Sequence, residues 1–152
     1  MVSSLNEQKY YNYKVQSQRL KKAMDNGFLL EAIFIEYAMI EDRAEAVLRY
    51  ENNTINSKHH VTINRKLNKI KMLLTNKNSL ISRYFSSELI DEVIEWKDKR
   101  NPMIHAMMKQ SLSTEGLREL AEEGLALTKT MNRLSTNYKR AVERQKNKEE
   151  SK

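Results

Sequence analysis

The chain has 152 residues, 39% of them hydrophobic, which is enough for one domain with a single core and too little for two ordinary domains. It contains no cysteine, which excludes disulfides, a thiolate zinc site and a cysteine nucleophile. With three glycines and one proline, little interrupts a helix, so the composition predicts an all-α protein. No stretch resembles a signal peptide or a membrane span, and we expect a cytoplasmic protein with no membrane partner.

The formal net charge of +7 is concentrated in two parts of the chain. Residues 53–85 hold seven Lys or Arg and no Asp or Glu, and residues 116–152 hold nine basic and six acidic residues. A clustered excess of this kind is typical of proteins that bind polyanions such as nucleic acid. A basic surface that only contacts solvent is an equal alternative.

The apolar periodicity predicts an up-and-down bundle of four main helices plus a shorter basic helix, in a single domain over residues 1–140. Residues 141–152 are predicted to be a charged, frayed tail. The predicted helices cover residues 3–24, 28–51 and 61–75, followed by one capped by Ser86 or Ser87 and a last one capped by Thr114. Gly27 is predicted to end the first helix, with Asp25 or Asn26 able to cap the second.

The second helix has an unusually wide apolar face and is predicted to be the central one of the bundle. Glu36 falls within that face, and Arg43 lies two turns further along the same side. A buried carboxylate needs a partner, because an unpaired buried charge costs several kcal/mol. Either Glu36 pairs with Arg43 or with a neighbouring helix, or it orients a catalytic group as an outer partner of the site together with Arg43.

The helix over 61–75 is strongly amphipathic. Its apolar positions are Ile63, Leu67, Ile70 and Leu74. Its basic positions, expected to point outward and to contact nucleic acid, are Arg65, Lys66, Lys69 and Lys71. The preceding His59-His60 pair has no Cys and no spaced Asp or Glu set beside it, so we expect neither a metal nor another cofactor.

The stretch Lys99-Arg100-Asn101-Pro102-Met103-Ile104-His105 contains the only proline and carries the strongest chemical pattern. Asn-Pro disfavours helical dihedrals at Asn101, so a fresh helix turn is expected to begin at Pro102. A guanidinium, free backbone N–H groups and an imidazole are the groups needed to cleave a phosphodiester without metal. Arg100 would stabilise the phosphorane charge, His105 would move a proton, and Asn101 would orient one of them.

In an unbroken helix, residues five apart point about 140° apart, so Arg100 and His105 would diverge. They converge through a break at Pro102, through the reach of Arg100, or across a two-fold interface that joins two copies of the motif.

This stretch resembles the Arg-x4-to-6-His signature of HEPN domains, which is often written with Asn after the Arg. The order of helices over residues 5–140 is similar to that family's bundle. The resemblance implies a metal-independent ribonuclease, of the toxin or defence kind, that dimerises and places the Arg and His of both protomers in one cleft. It therefore implies Arg100 and His105 as catalytic residues, with Asn101 beside them. RNA, a second copy of the chain and a cognate antitoxin or regulatory protein are the expected partners.

Two other interpretations fit the same residues. The chain can be a non-catalytic helical module that binds nucleic acid or a protein through its basic face, formed by the helix over 61–75 and the tail. It can also be a purely structural bundle or a small regulatory subunit. In both, Arg100 pairs with an acid such as Glu36 and His105 is an ordinary surface residue.

Overall fold

The computed structural model describes residues 2–51, 61–106, 109 and 113–152, with side chains from residue 7 onward. These residues form a helical bundle of five α-helices and one short 3-10 turn, with no strand in the described ranges. The helices are α1 Val2–Asp25, α2 Leu29–Tyr50, α3 Ile63–Leu73, α4 Ser87–Ala106 and α5 Thr114–Glu150, and the 3-10 turn is Ile81–Arg83. The predicted His59-His60 pair lies outside the described residues.

Helix α2 is the centre of the bundle, as its wide apolar face predicts. It packs most extensively on α5 and also contacts α1 and α3, while α4 packs on α3 and α5. Its side chains with the least solvent exposure are Ala32, Ile33, Glu36, Ile40, Ala44, Val47 and Leu48. Burial of this face stabilises the bundle, because apolar area removed from water contributes about 25 cal/mol per Å².

The turn between α1 and α2 confirms the predicted role of Gly27. Gly27 has φ of +72°, a left-handed conformation that favours glycine. The Phe28 amide donates to the Ala23 carbonyl at 2.8 Å, which closes the end of α1. The predicted capping of α2 by Asp25 or Asn26 is wrong, because the Asn26 amide donates to the Lys22 carbonyl and therefore serves the end of α1.

The later helices begin close to where the sequence places them. The Ser86 hydroxyl accepts from the Leu89 amide at 3.2 Å and so caps α4 as predicted. Helix α5 is capped by Ser113 and not by Thr114, because the Ser113 hydroxyl accepts from the Gly116 amide at 3.0 Å. The difference is one residue, and the same hydroxyl chemistry satisfies the first turn.

The segment predicted to fray, residues 141–152, is helical as far as Glu150. Ala141 is buried, so the side of the helix that faces the bundle continues beyond Tyr138. Further along, Gln145 and Glu149 form a hydrogen bond one turn apart. Packing of one face and strong helix formers on the other therefore extend α5.

In the described ranges, no helix has the length and apolar character needed to cross a membrane.

Candidate functional site

The motif lies at the end of α4, and its proline does not break the helix. Asn101, Pro102 and His105 all belong to the continuous helix Ser87–Ala106, so the expected fresh turn at Pro102 is wrong. An interior proline removes one backbone hydrogen bond and costs about 3 kcal/mol. Packing outweighs this cost, because Trp96 is fully buried before the proline and Met103 packs against the core after it.

The guanidinium of Arg100 is held on the faces of two aromatic rings of α2. Its Cζ lies 4.0 Å from the ring centroid of Tyr37 and 5.1 Å from that of Phe34. Its Nη1 donates to Asn101 Oδ1 at 3.3 Å, and its Nε is buried with no hydrogen-bond partner among the described residues. Stacking of this kind fixes a guanidinium while leaving its charge unneutralised.

No carboxylate pairs with Arg100 in the described ranges. Its neighbour Lys99 does have one, Glu123 on α5, at 3.3 Å. Burial lowers the pKa of Arg100 from its ordinary value, and Tyr37 opposes that shift. An arginine nevertheless stays protonated, so this surface presents a positioned cation to solvent.

His105 is exposed on the last turn of α4, as is Asn101 one turn earlier. Because the helix is continuous, the side chains of Arg100 and His105 leave it about 140° apart. The structure therefore brings Arg100 and Asn101 together and leaves His105 on a different side of the same helix end. Within one copy of the chain, the motif does not form a closed site.

Glu36 is fully buried, and neither of its carboxylate oxygens has a hydrogen-bond partner among the described residues. It lies where α2 meets Trp96 of α4 and Gly124 of α5. Burial raises its pKa to about 9, so the carboxyl is protonated at neutral pH. Glu36 forms neither a hydrogen bond nor an ion pair with Arg100, which corrects the expectation that the two would pair.

Arg43, the second residue expected to support the site, points elsewhere. Its guanidinium pairs with Asp42 and lies over the Tyr13 ring, with Cζ 4.7 Å from the centroid. The expected Glu36–Arg43 ion pair is therefore absent, and Arg43 fastens α1 to α2. The spacing of residues in the sequence does not distinguish a Glu36–Arg43 pair from the observed contacts of Arg43, because Asp42 adjoins Arg43 and Tyr13 comes from another helix.

The basic helix α3 presents less free charge than its sequence predicts. Its apolar positions are buried as expected. Lys66, however, is only 6% exposed and bonds Glu41 at 3.0 Å, with Glu45 at 3.6 Å. Lys71 bonds Asp91 at 2.6 Å.

The outward placement of Lys66 is therefore corrected: acids on α2 draw it inward. Of the four predicted nucleic-acid contacts, Arg65 is exposed and Lys69 is partly exposed.

Phe34 and Tyr37 are the site residues that the sequence did not identify. Tyr37 flanks the apolar face of α2, and the sequence places Phe34 only within the apolar stretch from Phe28 to Ile40. Phe34 is nevertheless 51% exposed beside Arg100. The spacing of Phe34 and Tyr37 is the feature of the sequence that could have identified this aromatic pair, because i and i+3 positions share one face of a helix.

The described part of the chain contains no group of three His, Asp or Glu side chains that could hold a metal ion. Comparisons of the chain with protein-family models, with curated proteins and with solved structures find no match.

Proposed function

We propose that this chain is a metal-independent endoribonuclease of the HEPN type, of toxin or defence kind, acting on RNA as a homodimer. The observation that carries the proposal is the Arg100 guanidinium, which two aromatic rings hold at the surface with no carboxylate partner in the described residues. A structural arginine at a helix crossing ordinarily neutralises an acid, whereas a free guanidinium matches a phosphate. The motif resemblance supplies the family.

In the proposed reaction, the ribose 2′-oxygen attacks the adjacent phosphorus and the bond from phosphorus to the 5′-oxygen breaks. The products are a 2′,3′-cyclic phosphate and a 5′-hydroxyl. Arg100 stabilises the extra negative charge on the phosphorane oxygens. The 2′-hydroxyl loses its proton and the leaving 5′-oxygen gains one. His105 makes one of these two transfers and water makes the other, and imidazole suits this task at neutral pH. Asn101 orients Arg100 through the bond between their side chains.

The two-copy arrangement is proposed because one copy cannot bring its own residues together. A two-fold axis near the end of α4 would place Arg100 of one copy opposite His105 of the other. Phe34 supports this arrangement, since a half-exposed aromatic beside the motif is suited to burial in an interface. A cognate antitoxin or regulatory protein would then act by covering this face or by separating the copies.

The second candidate function is a non-catalytic module that binds nucleic acid or a partner protein through the end of α5 and through α3. It is less well supported, because two of the four basic side chains of α3 are already paired with acids. Arg65 and Lys69 alone give a small electrostatic footprint.

The proposed function is tested by incubating the purified chain with single-stranded RNA in the presence of EDTA. We expect cleavage that leaves 2′,3′-cyclic phosphate ends, identified by mass spectrometry. Replacing the proton-transfer group in His105→Ala should slow it about 10²- to 10⁴-fold.

His60→Ala, which removes a histidine outside the motif, is the matched control and should keep wild-type activity. Cleavage at an unchanged rate by His105→Ala, or cleavage that EDTA abolishes, would contradict the proposal.

A further inference from the structure

A basic groove lies far from the motif, between the turn that precedes α4 and the last turns of α5. We define the basic groove by its three cations, Arg83, Arg144 and Lys148, all of which are exposed. Its remaining lining is Asn78, Leu80, Tyr84, Ala141 and Gln145. None of these side chains is acidic, so the groove gathers three positive charges without a compensating carboxylate in its lining.

Helix geometry makes the groove a single surface. Ala141, Arg144, Gln145 and Lys148 are spaced i, i+3, i+4 and i+7, which places them on one side of α5. Arg83 faces them from the end of the 3-10 turn. The helical continuation beyond Tyr138 is what brings Arg144 and Lys148 to this position.

Ion pairs in other parts of the molecule neutralise several of its basic side chains, whereas those of the groove keep their charge. Lys66, Lys71 and Lys99 are held by Glu41, Asp91 and Glu123 respectively. The cations of the groove have no such ion pair in the described part of the chain. Part of the positive excess that the sequence places at 53–85 and in the last helix is therefore left free at this groove.

We propose that the basic groove binds the phosphate backbone of RNA at a distance from the cleavage site. A polyanion is the ligand class that a row of unpaired Arg and Lys attracts, and Arg matches phosphate oxygens with paired donors. The choice of RNA over another nucleic acid rests on the proposed function. The partly exposed Tyr84 ring completes one wall and contributes apolar surface beside the phosphates.

The distance between the groove and the motif determines which substrates can use both. Arg83 comes four residues before Ser87, the first residue of α4, and His105 lies 18 residues beyond Ser87, which is about 27 Å along the axis of that helix. At 3.4 Å per nucleotide of a stacked strand, about eight nucleotides span that length. The groove should therefore strengthen the binding of long RNA and leave dinucleotides unaffected.

The test compares two triple variants of the full chain. One removes the groove charges as Arg83→Gln/Arg144→Gln/Lys148→Gln, and its matched control removes three exposed cations elsewhere as Lys14→Gln/Lys22→Gln/Arg133→Gln. Both are made in a His105→Ala background that keeps RNA intact. Fluorescence anisotropy then measures binding of an RNA of about 30 nucleotides, longer than the span between the two sites, as salt is raised.

We expect the groove variant to bind at least about tenfold more weakly than the control at low salt. The slope of log affinity against log salt should fall by about two, since each lost phosphate contact removes about 0.7 from it. With His105 restored, both triple variants should cleave a dinucleotide at the wild-type rate. A groove variant with the same affinity and slope as the control would overturn the proposal.

Two further outcomes separate this proposal from the proposed function. If the wild-type chain cleaves no RNA while the groove variant still loses RNA binding, the nuclease proposal fails and the groove proposal is supported. If the chain binds vesicles of anionic phospholipid through these three residues and does not bind RNA, the groove proposal is overturned, whatever the result of the cleavage assay.

Discussion

Glu36 is an ionisable group in an environment that favours its neutral form. It is fully buried against Trp96 and Gly124, and neither carboxylate oxygen has a hydrogen-bond partner among the described residues. Burial raises its pKa to about 9 from an ordinary value of 4.5. Between these two values the folded chain keeps a proton that the unfolded chain has lost. The free energy of unfolding must therefore fall as pH rises through this range.

Glu36→Gln should remove that pH dependence. The difference in unfolding free energy between wild type and variant should change by about 1.4 kcal/mol per pH unit between about pH 5 and pH 8, with wild type losing stability as pH rises. Urea unfolding at several pH values measures it. Glu122→Gln, an exposed substitution on α5, is the control and should give a flat difference. A flat difference for Glu36→Gln as well would mean that burial does not raise the pKa of Glu36 in the folded chain.

The sequence predicts that Arg100 needs a neighbour but does not predict which kind. Arg100 follows Val93 and Trp96 at helical spacing, which predicts a partly buried charge that needs a neighbour, and the structure places Arg100 half-buried. The expected neighbour was an acid, and the observed ones are the rings of Tyr37 and Phe34. Both kinds of neighbour hold a guanidinium in place, but only an acid neutralises its charge. The rotation of α2 against α4 decides between them.

The crossing of α4 and α5 depends on a single glycine. A Cβ added at Gly124 would lie 2.5 Å from Trp96 Cζ2 and closer still to Glu36 Oε2. The Trp96 ring cannot move aside easily, because its Nε1 donates to the Leu120 carbonyl at 2.9 Å in the core. Glycine is therefore kept within a helix, where it is otherwise unfavourable, because it allows this close approach.

Gly124→Ala should destabilise the chain by up to about 2 kcal/mol, since overpacking costs about 1–3 kcal/mol and the gain in helix propensity is only about 1 kcal/mol. Gly116→Ala is the matched control on the same helix. Its added Cβ would meet only Ser113 Oγ at 3.3 Å and Met103 Cε at 3.7 Å, so we expect a change of less than about 1 kcal/mol. Thermal unfolding followed by circular dichroism gives both values, and equal stability of the two variants would contradict this account of the crossing.

Helix positions were predictable where a local rule decides them. The wide apolar stripe identified α2 as the central helix, and Gly27 identified the end of α1. The predicted helix break at Pro102 and the predicted outward placement of Lys66 are wrong for a shared reason. In both cases tertiary contacts override a local preference. The packing of Trp96 and Met103 keeps the helix intact at the proline, and Glu41 on α2 draws the lysine inward.

At the scale of the whole molecule, the proposed cleavage site and the proposed RNA-binding groove lie at opposite ends of α4. The motif with Arg100 and His105 is at its end, and the basic groove lies beside its beginning. The sequence predicted the motif residues and the excess of positive charge. It could not locate the groove, because Arg83 and Arg144 are 61 residues apart and meet only through the fold.

The arrangement of two copies of the chain also determines whether the motif can act. One copy leaves Arg100 and His105 about 140° apart on an unbroken helix. If each phosphodiester is cleaved by Arg100 of one copy and His105 of another, inactive variants that lack different members of the pair should restore activity when mixed. This follows from two-fold symmetry and does not depend on the RNA chosen.

The most direct measurement is the rate of RNA cleavage by an equal mixture of Arg100→Ala and His105→Ala chains, allowed to exchange subunits, with EDTA present. We predict that each variant is inactive alone and that the mixture reaches about a quarter of the wild-type rate. Half of the dimers are then mixed, and each mixed dimer keeps one of its two Arg–His pairs. Arg100→Ala mixed with the Arg100→Ala/His105→Ala double variant should stay inactive. A mixture no more active than its separate components would contradict the proposed two-copy site.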